Sequence, residues 1–444
     1  MTEGGVRGHL LRMMAFILVG MAIQTLYGLV DIYWVGRLGK QAVAAVALSS
    51  NLMFVALAVT QTLSVGCVAL VSQAAGKKDH AEVQRLFNQA QCLSTLAGAA
   101  FLAISLAAKD TYADRLAGDP ATAALAREFL AWFLPALALQ FTMVGLASSL
   151  RGIGNMRPGL VAQTASVLLN MALAPVLVFG WATGRPFGVP GAAMATLIAT
   201  IAAVLGLLVY IGVGDHVLRL RAAQWRPDPA TFGRMLAIGL PAGAEFLLMS
   251  ITMGAVYAVT RRFGAEAQAG FGIGSRVLQA GMMPAVALSF AAAAVVGQNF
   301  GSRKFLRVRE TFRESAKLAL GMMVVLTVVF HLAPRAVVAV FSEEAPVQDA
   351  GVDYVTTISW GYAASGVVFV SAGIFQGIGN TWPSLGASLL RAILFVGPML
   401  IMSRRAGFTL HATWLVSVAS VFVQLGVQQV LLWRELERRA PARG

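Results

Sequence analysis

Apolar runs of about 20 residues or more recur along the whole chain, each closed by a short stretch that is charged or contains Gly or Pro. A helix of that length is what a bilayer core of about 30 Å requires. The pattern predicts twelve spanning helices, at approximately 10–33, 45–72, 88–108, 124–150, 159–181, 191–213, 235–260, 268–296, 315–333, 352–375, 384–403 and 411–433. Six fall in each half. Because six is even, both halves start on the same side, so a duplication between them is of the parallel kind, related by an axis along the membrane normal. The first run is longer than a signal-peptide core, contains Asp31 and lacks a small-residue cleavage pattern, so it counts as the first span.

Short stretches support such a duplication. GIGNMRP at 152–158 returns as GIGNTWP at 377–383, VSQAAGKK at 71–78 meets VGQNFGSR at 296–303, and GRLGKQAVAAV at 36–46 meets RRFGAEAQAGF at 261–271. All three pairs are 225 residues apart, which argues for two equivalent halves without insertions. The predicted fold class is therefore an all-α integral membrane protein with two pseudo-symmetric six-helix lobes. The first lobe spans 1–213, the second 234–444, and the polar stretch 214–233, with two prolines, is the cytoplasmic linker between them. The GIGN segments lack the strand-turn-helix context of a phosphate loop, and no GxxxxGK[ST] is present. They fit sharp turns between spans 4 and 5 and between spans 10 and 11, with Pro158 and Pro383 starting the next helix.

Composition agrees with a lipid solvent. Hydrophobic residues make up 58% of the 444, charged residues 12%, and the mean hydropathy is +0.73. The net charge of +14 suggests nucleic acid until its distribution is examined. The segments 1–12, 75–87, 151–158, 215–234, 299–317 and 432–444 hold 21 Lys and Arg, against 11 in the opposite loops. This asymmetry places both termini in the cytoplasm and assigns the basic excess to orientation and anionic lipid rather than nucleic acid. Cys67 and Cys92 fall inside apolar helices, where neither disulfide nor metal chemistry is expected.

Of twenty carboxylates, nearly all lie in loops or at helix ends, and the exceptions are Asp31 and Glu245. An ionisable group inside a span costs several kcal/mol on most scales, so it normally faces a cavity or a partner. Gln24, Tyr27 and Asp31, spaced i, i+3, i+7, share one face of the first helix. Similar stripes hold Gln163, Ser166 and Asn170 in span 5 and Thr196 with Thr200 in span 6. Such residues also commonly hydrogen-bond between helices or onto their own backbone, which is the structural alternative for each taken alone. In the second half, Arg391 is a candidate partner for Glu245, and Arg276 a candidate to pair with backbone carbonyls. Met249, Met253, Met282, Met283 and Phe290 suit an adaptable cavity and, equally, a packed helix interface.

With the two six-helix lobes, VDIYWVGRLG after span 1, the paired VSQAAG and VGQNFG and the GIGN turns, the chain resembles the multidrug and toxic compound extrusion (MATE) family over essentially its whole length. The resemblance implies a V-shaped pair of lobes, alternating access, and export of amphipathic cationic molecules against inward proton or sodium flow. No cofactor beyond the coupling ion is implied. It also assigns Asp31, Asn170 and Thr196 to the cation site of the first lobe, with Gln24 and Tyr27 beside them. Asp31 and Asn170 would be metal ligands only if sodium is the coupling ion. Glu245, Arg391, Gln163, Met249, Met253 and Met283 are the expected substrate-cavity residues. Two departures matter: Ala174 stands where the family carries a second aspartate before Pro175, and Phe16 replaces a proline in span 1. Losing one carboxylate weakens an oxygen site for a hard cation, so a proton is favoured over sodium. Glu245 lies about five residues before the family's helix-7 glutamate, no helix-10 aspartate is found, and Arg391 matches an arginine often present in helix 11. The expected protein is a bacterial-type inner-membrane transporter, monomeric and not an enzyme. The rival readings are a lipid-linked oligosaccharide flippase of the same superfamily and, more distantly, a membrane enzyme or scaffold. Five scattered histidines and two isolated carboxylates suit the last poorly.

Overall fold

A computed structural model describes residues 1–181, 184–214, 217–405 and 407–439. Asp215 and His216 of the expected linker and the last five residues of the expected second lobe lie outside the described residues. Among those described, regular structure is helical throughout: α1 Val6–Gly36, α2 Lys40–Gly76, α3 His80–Leu116, α4 Pro120–Gly152, α5 Arg157–Phe179, α6 Val189–Val213, α7 Pro229–Thr260, α8 Ala265–Gly301, α9 Phe305–Leu332, α10 Pro334–Ala339, α11 Ala345–Ser359, α12 Tyr362–Ile378, α13 Trp382–Met402 and α14 Leu410–Arg439, with two short 3₁₀ turns. Eleven of them are long and apolar enough to span a bilayer singly, and α11 with α12 makes a twelfth bent by 58°. Several helices outlast their apolar runs because polar caps extend them. Asp79 Oδ1 accepts from Glu82 N at 2.9 Å to start α3, and Asp119 Oδ1 accepts from Thr122 N at 2.9 Å to start α4, with Pro120 in the first turn.

The run 352–375, expected as one helix, is broken at Trp360 and Gly361. There α11 closes with tight bonds, Trp360 N to Thr357 O at 3.3 Å and Gly361 N to Ile358 O at 2.9 Å. The carbonyl freed at Ser359 accepts from Thr327 Oγ1 of α9 at 2.9 Å. A neighbouring hydroxyl satisfying the interrupted backbone is the condition on which a span can break inside a membrane.

The helices form two compact units: Phe16–Gly243, and Ala244–Gly444 together with Met1–Ala15. In the first, Phe87, Leu86, Leu146, Leu150, Leu207 and Ile211 are fully buried. In the second, Phe271 stacks on Trp414 at 5.6 Å and Tyr354 meets both rings edge-on. The start of α7 packs within the first unit, where a Cβ on Gly239 would overlap the Thr62 carbonyl. The N-terminal segment is tied within the second, where Lys304 Nζ donates to Thr2 O at 2.8 Å and Arg307 Nη2 to Gly4 O at 2.9 Å.

The repeated heptapeptides have the same geometry in both units. Gly154 and Gly379 adopt φ of +92° and +82°. This left-handed backbone lets Asn155 N reach back to Leu150 O at 2.9 Å and Asn380 N to Phe375 O at 3.0 Å, a Schellman-type helix end. Each asparagine then caps a second element: Asn155 Nδ2 donates to Tyr210 Oη at 3.0 Å, and Asn380 Nδ2 to Glu435 Oε1 at 2.8 Å. Tyr210 and Glu435 are themselves 225 residues apart. The first glycine of each motif serves packing instead, since a Cβ would lie 2.8 Å from Val71 Cγ1 at Gly152 and 2.7 Å from Val296 Cγ1 at Gly377.

The polar segment before α7 is a strap on α3. Gln84 Oε1 accepts from Arg219 N at 2.8 Å, Asn88 Oδ1 from Arg221 N at 2.9 Å and Gln89 Oε1 from Asp228 N at 3.0 Å. Gln89 Nε2 donates to Gln224 O and Arg226 O, and the Cys92 thiol to Trp225 O at 3.3 Å. Side-chain amides thus stand in for a second strand, each bonding a backbone that would otherwise lack partners.

Candidate functional site

In the first unit, α1, α5 and α6 bring one polar stripe each to a common point. Thr196 Oγ1 donates its single proton to Ala192 O at 3.1 Å, so its lone pairs accept from Asn170 Nδ2 at 3.1 Å and from Tyr27 Oη at 3.1 Å. Asn170 and Thr196 are 3% and 8% exposed, so this triad is largely out of solvent. One turn earlier on α1, Gln24 Oε1 accepts from Gln163 Nε2 at 2.9 Å. One turn later stands Asp31, whose Oδ1 is buried and has no hydrogen-bond partner among the described residues. A buried carboxylate oxygen without a donor carries a full desolvation cost, which a proton or a bound cation would relieve. Ala174 is 1% exposed, and its methyl group offers no ligand there. Ser166 does not join the triad; it lines an apolar groove of about 260 Å³ with Pro158 and Tyr210.

Sequence reasoning missed the next turn of α1. Trp34 packs edge-on against Phe179 at 5.9 Å and Trp181 at 5.7 Å, and the Arg37 guanidinium lies 5.1 Å from the Tyr33 ring. The signal was visible as YW beside an arginine at the end of an apolar run.

In the second unit, α7, α8, α11, α12, α13 and α14 surround a cavity of about 330 Å³. Glu245, Met249 and Met253 face it from α7, and Arg391 from α13, with Phe246, Phe395 and Trp414 among its aromatic walls. Ser388 Oγ donates to Glu245 Oε1 at 3.4 Å and accepts from Gln424 Nε2 at 3.2 Å. Arg391 forms no ion pair with Glu245, nor any hydrogen bond with another described residue, so the pairing expected for these two is not made. Met283, expected in the same cavity, is half-buried on α8 and is not part of its wall; Gln163 belongs to the first unit, bonded to Gln24. Arg276 is exposed on α8, and its guanidinium makes no hydrogen bond to a backbone carbonyl among the described residues. No group of three or more His, Cys, Asp or Glu converges as a metal site among the described residues.

The likeness to known proteins follows the duplication. The MatE family model matches twice, over residues 17–176 and 241–400, once on each repeat. Among similar proteins, the probable multidrug resistance protein YoeA of Bacillus subtilis is 26% identical over 376 residues, covering 83% of this chain and 81% of its own. The multidrug export protein MepA of Staphylococcus aureus is 22% identical over 425 residues, covering 94% and 91%. The fold matches a solved outward-facing multidrug resistance MATE family transporter with a TM-score of 0.90 at 22% identity, covering 98% and 97% of the two chains. A MOP superfamily transporter from Pyrococcus furiosus gives 0.89 at 23%, with the same coverage. With one family match falling on each repeat, the first containing Tyr27, Asp31 and Asn170 and the second containing Glu245 and Arg391, the chain belongs to the MatE family of membrane transporters.

Proposed function

We propose that this transporter exports small amphipathic organic cations, driven by protons moving inward through Asp31. Its repeats are taken as 1–213 and 234–444, joined by 214–233, with both termini cytoplasmic, and it works as a monomer. The observation that carries the coupling role is the orphaned, buried Oδ1 of Asp31 one turn from the Tyr27, Thr196 and Asn170 triad. A proton converts that acceptor into a donor and needs no further ligand. Sodium, a hard cation, needs several oxygen ligands, and the alanine at 174 supplies none. The triad makes the two protonation states unequal, because moving Tyr27 or Asn170 relative to Asp31 changes which groups can bond it. A coupling ion shifts an equilibrium between conformations only through such a difference. For cargo, the cavity of the second unit offers one carboxylate, soft methionine and aromatic walls, and a volume within the range of drug-sized sites. That volume is far below what a lipid-linked oligosaccharide occupies, which argues against the flippase reading. The deciding experiment is export of a cationic dye from proteoliposomes under an imposed proton gradient, an imposed sodium gradient, or neither. Export under the sodium gradient alone would refute proton coupling; export under neither would refute the antiport reading.

A further inference from the structure

Arg391 brings to the Glu245 cavity a positive charge that works against binding a cation there. Its guanidinium opens on the same cavity as Glu245, has no counter-ion among the described residues, and repels the cargo charge that Glu245 attracts. Glu245, by contrast, is served by Ser388, itself bonded to Gln424. The spacing along α13 is informative. Ser384, Ser388 and Arg391 follow at i, i+4 and i+7 on one helix face and all border the cavity. With a rise of about 1.5 Å per residue, Arg391 sits about 4.5 Å along the axis beyond the serine that marks the Glu245 head. The duplication does not explain it either, because the matching residue in the first repeat is Ser166. An unpaired guanidinium in low dielectric is expensive, and one that faces a cavity is a fork of donors suited to a carboxylate or another planar anion.

Resting on the exporter reading above, we propose that the cavity selects amphipathic zwitterions: molecules whose cationic centre sits at Glu245 and whose carboxylate, roughly one helical turn away, is received by Arg391. Phe246, Phe395 and Trp414 hold the planar apolar body between the two charges. Arg391 is then the specificity-determining residue, and a plain cation of the same shape is the poorer cargo.

A matched pair of dyes tests this: a diaminoxanthylium carrying a free benzoate, zwitterionic at neutral pH, and its methyl ester, a cation of nearly the same size. Equilibrium dialysis against the purified full-length protein gives both affinities for wild type, Arg391→Gln, Arg391→Lys and Glu245→Gln. Wild type is expected to prefer the acid by on the order of tenfold, the scale of one charge-assisted contact. Arg391→Gln should bring the acid-to-ester ratio to about one, Arg391→Lys should keep part of the preference because the charge remains, and Glu245→Gln should weaken both dyes while leaving the ratio above one. A wild type that binds the ester as tightly as the acid overturns the zwitterion proposal and leaves the cation reading standing. So does an Arg391→Gln protein with an unaltered ratio. Wild type that binds neither dye overturns both.

Discussion

Position for position, the two repeats place different chemistry on one backbone. Gly20 of the first corresponds to Glu245 of the second, and both lie beside the same neighbour: a Cβ on Gly20 would come 3.5 Å from Gln163 Oε1, while Glu245 accepts from Ser388, the counterpart of Gln163. Further along, Tyr27, Asp31 and Asn170 correspond to Thr252, Val256 and Phe395. Each unit therefore keeps one carboxylate on its first long helix, but eleven positions apart in the repeat frame, or about 16 Å of helix. The first repeat sets its acid one helical turn from a hydrogen-bonded triad, and the second sets its acid in a cavity with methionine and aromatic walls. Duplication supplied two equal scaffolds, and substitution at a few inward positions gave one a carboxylate close to a hydrogen-bonded triad and the other a carboxylate in an apolar-walled cavity.

The largest expected effect comes from removing the acid of the first repeat. Asp31→Asn keeps the size and supplies its own donor, so the protein should fold and bind dye while pH-driven export in proteoliposomes falls to the level of empty vesicles. Wild-type export by that variant under a proton gradient would end the division of labour between the repeats. Next in size is the acid of the second repeat. Glu245→Gln should lower export of a cationic dye by on the order of tenfold, as loss of one charge pairing would, and leave a neutral analogue nearly unchanged. Equal losses for both dyes would reassign Glu245 to packing.

Much of this frame was legible from residues. Twelve apolar runs and the constant offset foretold the helices and their duplication, because in lipid every backbone group must be satisfied within its own helix. Asp31 and Glu245 stood out because a charge in hydrocarbon is costly wherever it lies. Partnerships were not legible. That Asn155 reaches Tyr210 while Asn380 reaches Glu435, or that Gln84, Asn88 and Gln89 hold the linker, depends on which helix faces carry loops back, and spacing within one helix does not report that. The break at Gly361 was hidden for a related reason: it is stabilised by Thr327 on another helix, so the run itself reads as unbroken.

Two smaller changes sharpen the comparison from each side. Ala174→Asp restores a second carboxylate on α5 near the Asp31 triad, and a few-fold rise in sodium-stimulated export, with no such rise when the second-repeat counterpart Met399 is changed to Asp, would show that the ion site is confined to the first repeat. Sodium independence of Ala174→Asp would mean that position 174 does not face the coupling site. At the duplicated turns, Asn380→Ala should destabilise more than Asn155→Ala. The lost partner is the Glu435 carboxylate in one case, worth about 1.5–3 kcal/mol, and a phenol in the other, worth about 1 kcal/mol. Thermal unfolding in detergent checks the order, and a reversed order would mean that Arg439, 2.7 Å from Glu435, is the stronger partner.

The smallest effect concerns the strap, which again separates the repeats: the counterparts of Gln84, Asn88 and Gln89 are Arg309, Arg313 and Glu314, and Arg309 lies against Trp433 at 5.8 Å. At the end of the strap, Asp228 accepts from Thr231 Oγ1 at 2.6 Å, and its other neighbour is Arg85 at 3.1 Å. The hydroxyl of Thr231, followed by the backbone N–H groups and the guanidinium, holds its carboxyl below the usual value of 3.8. A carboxyl with a lowered folded value contributes stability that is present above its unfolded value and is lost as pH falls through the folded one. Protection from hydrogen exchange over residues 217–228, taken relative to the intrinsic rate at each pH, should therefore be high near neutral pH and fall below about pH 4. Asp228→Asn should show faster exchange at neutral pH and a smaller change on acidification, because the group that titrates is gone. Equal acid sensitivity in the variant would transfer the strap's stability to the amides of α3, which do not titrate, and to the burial of Leu218 beneath it.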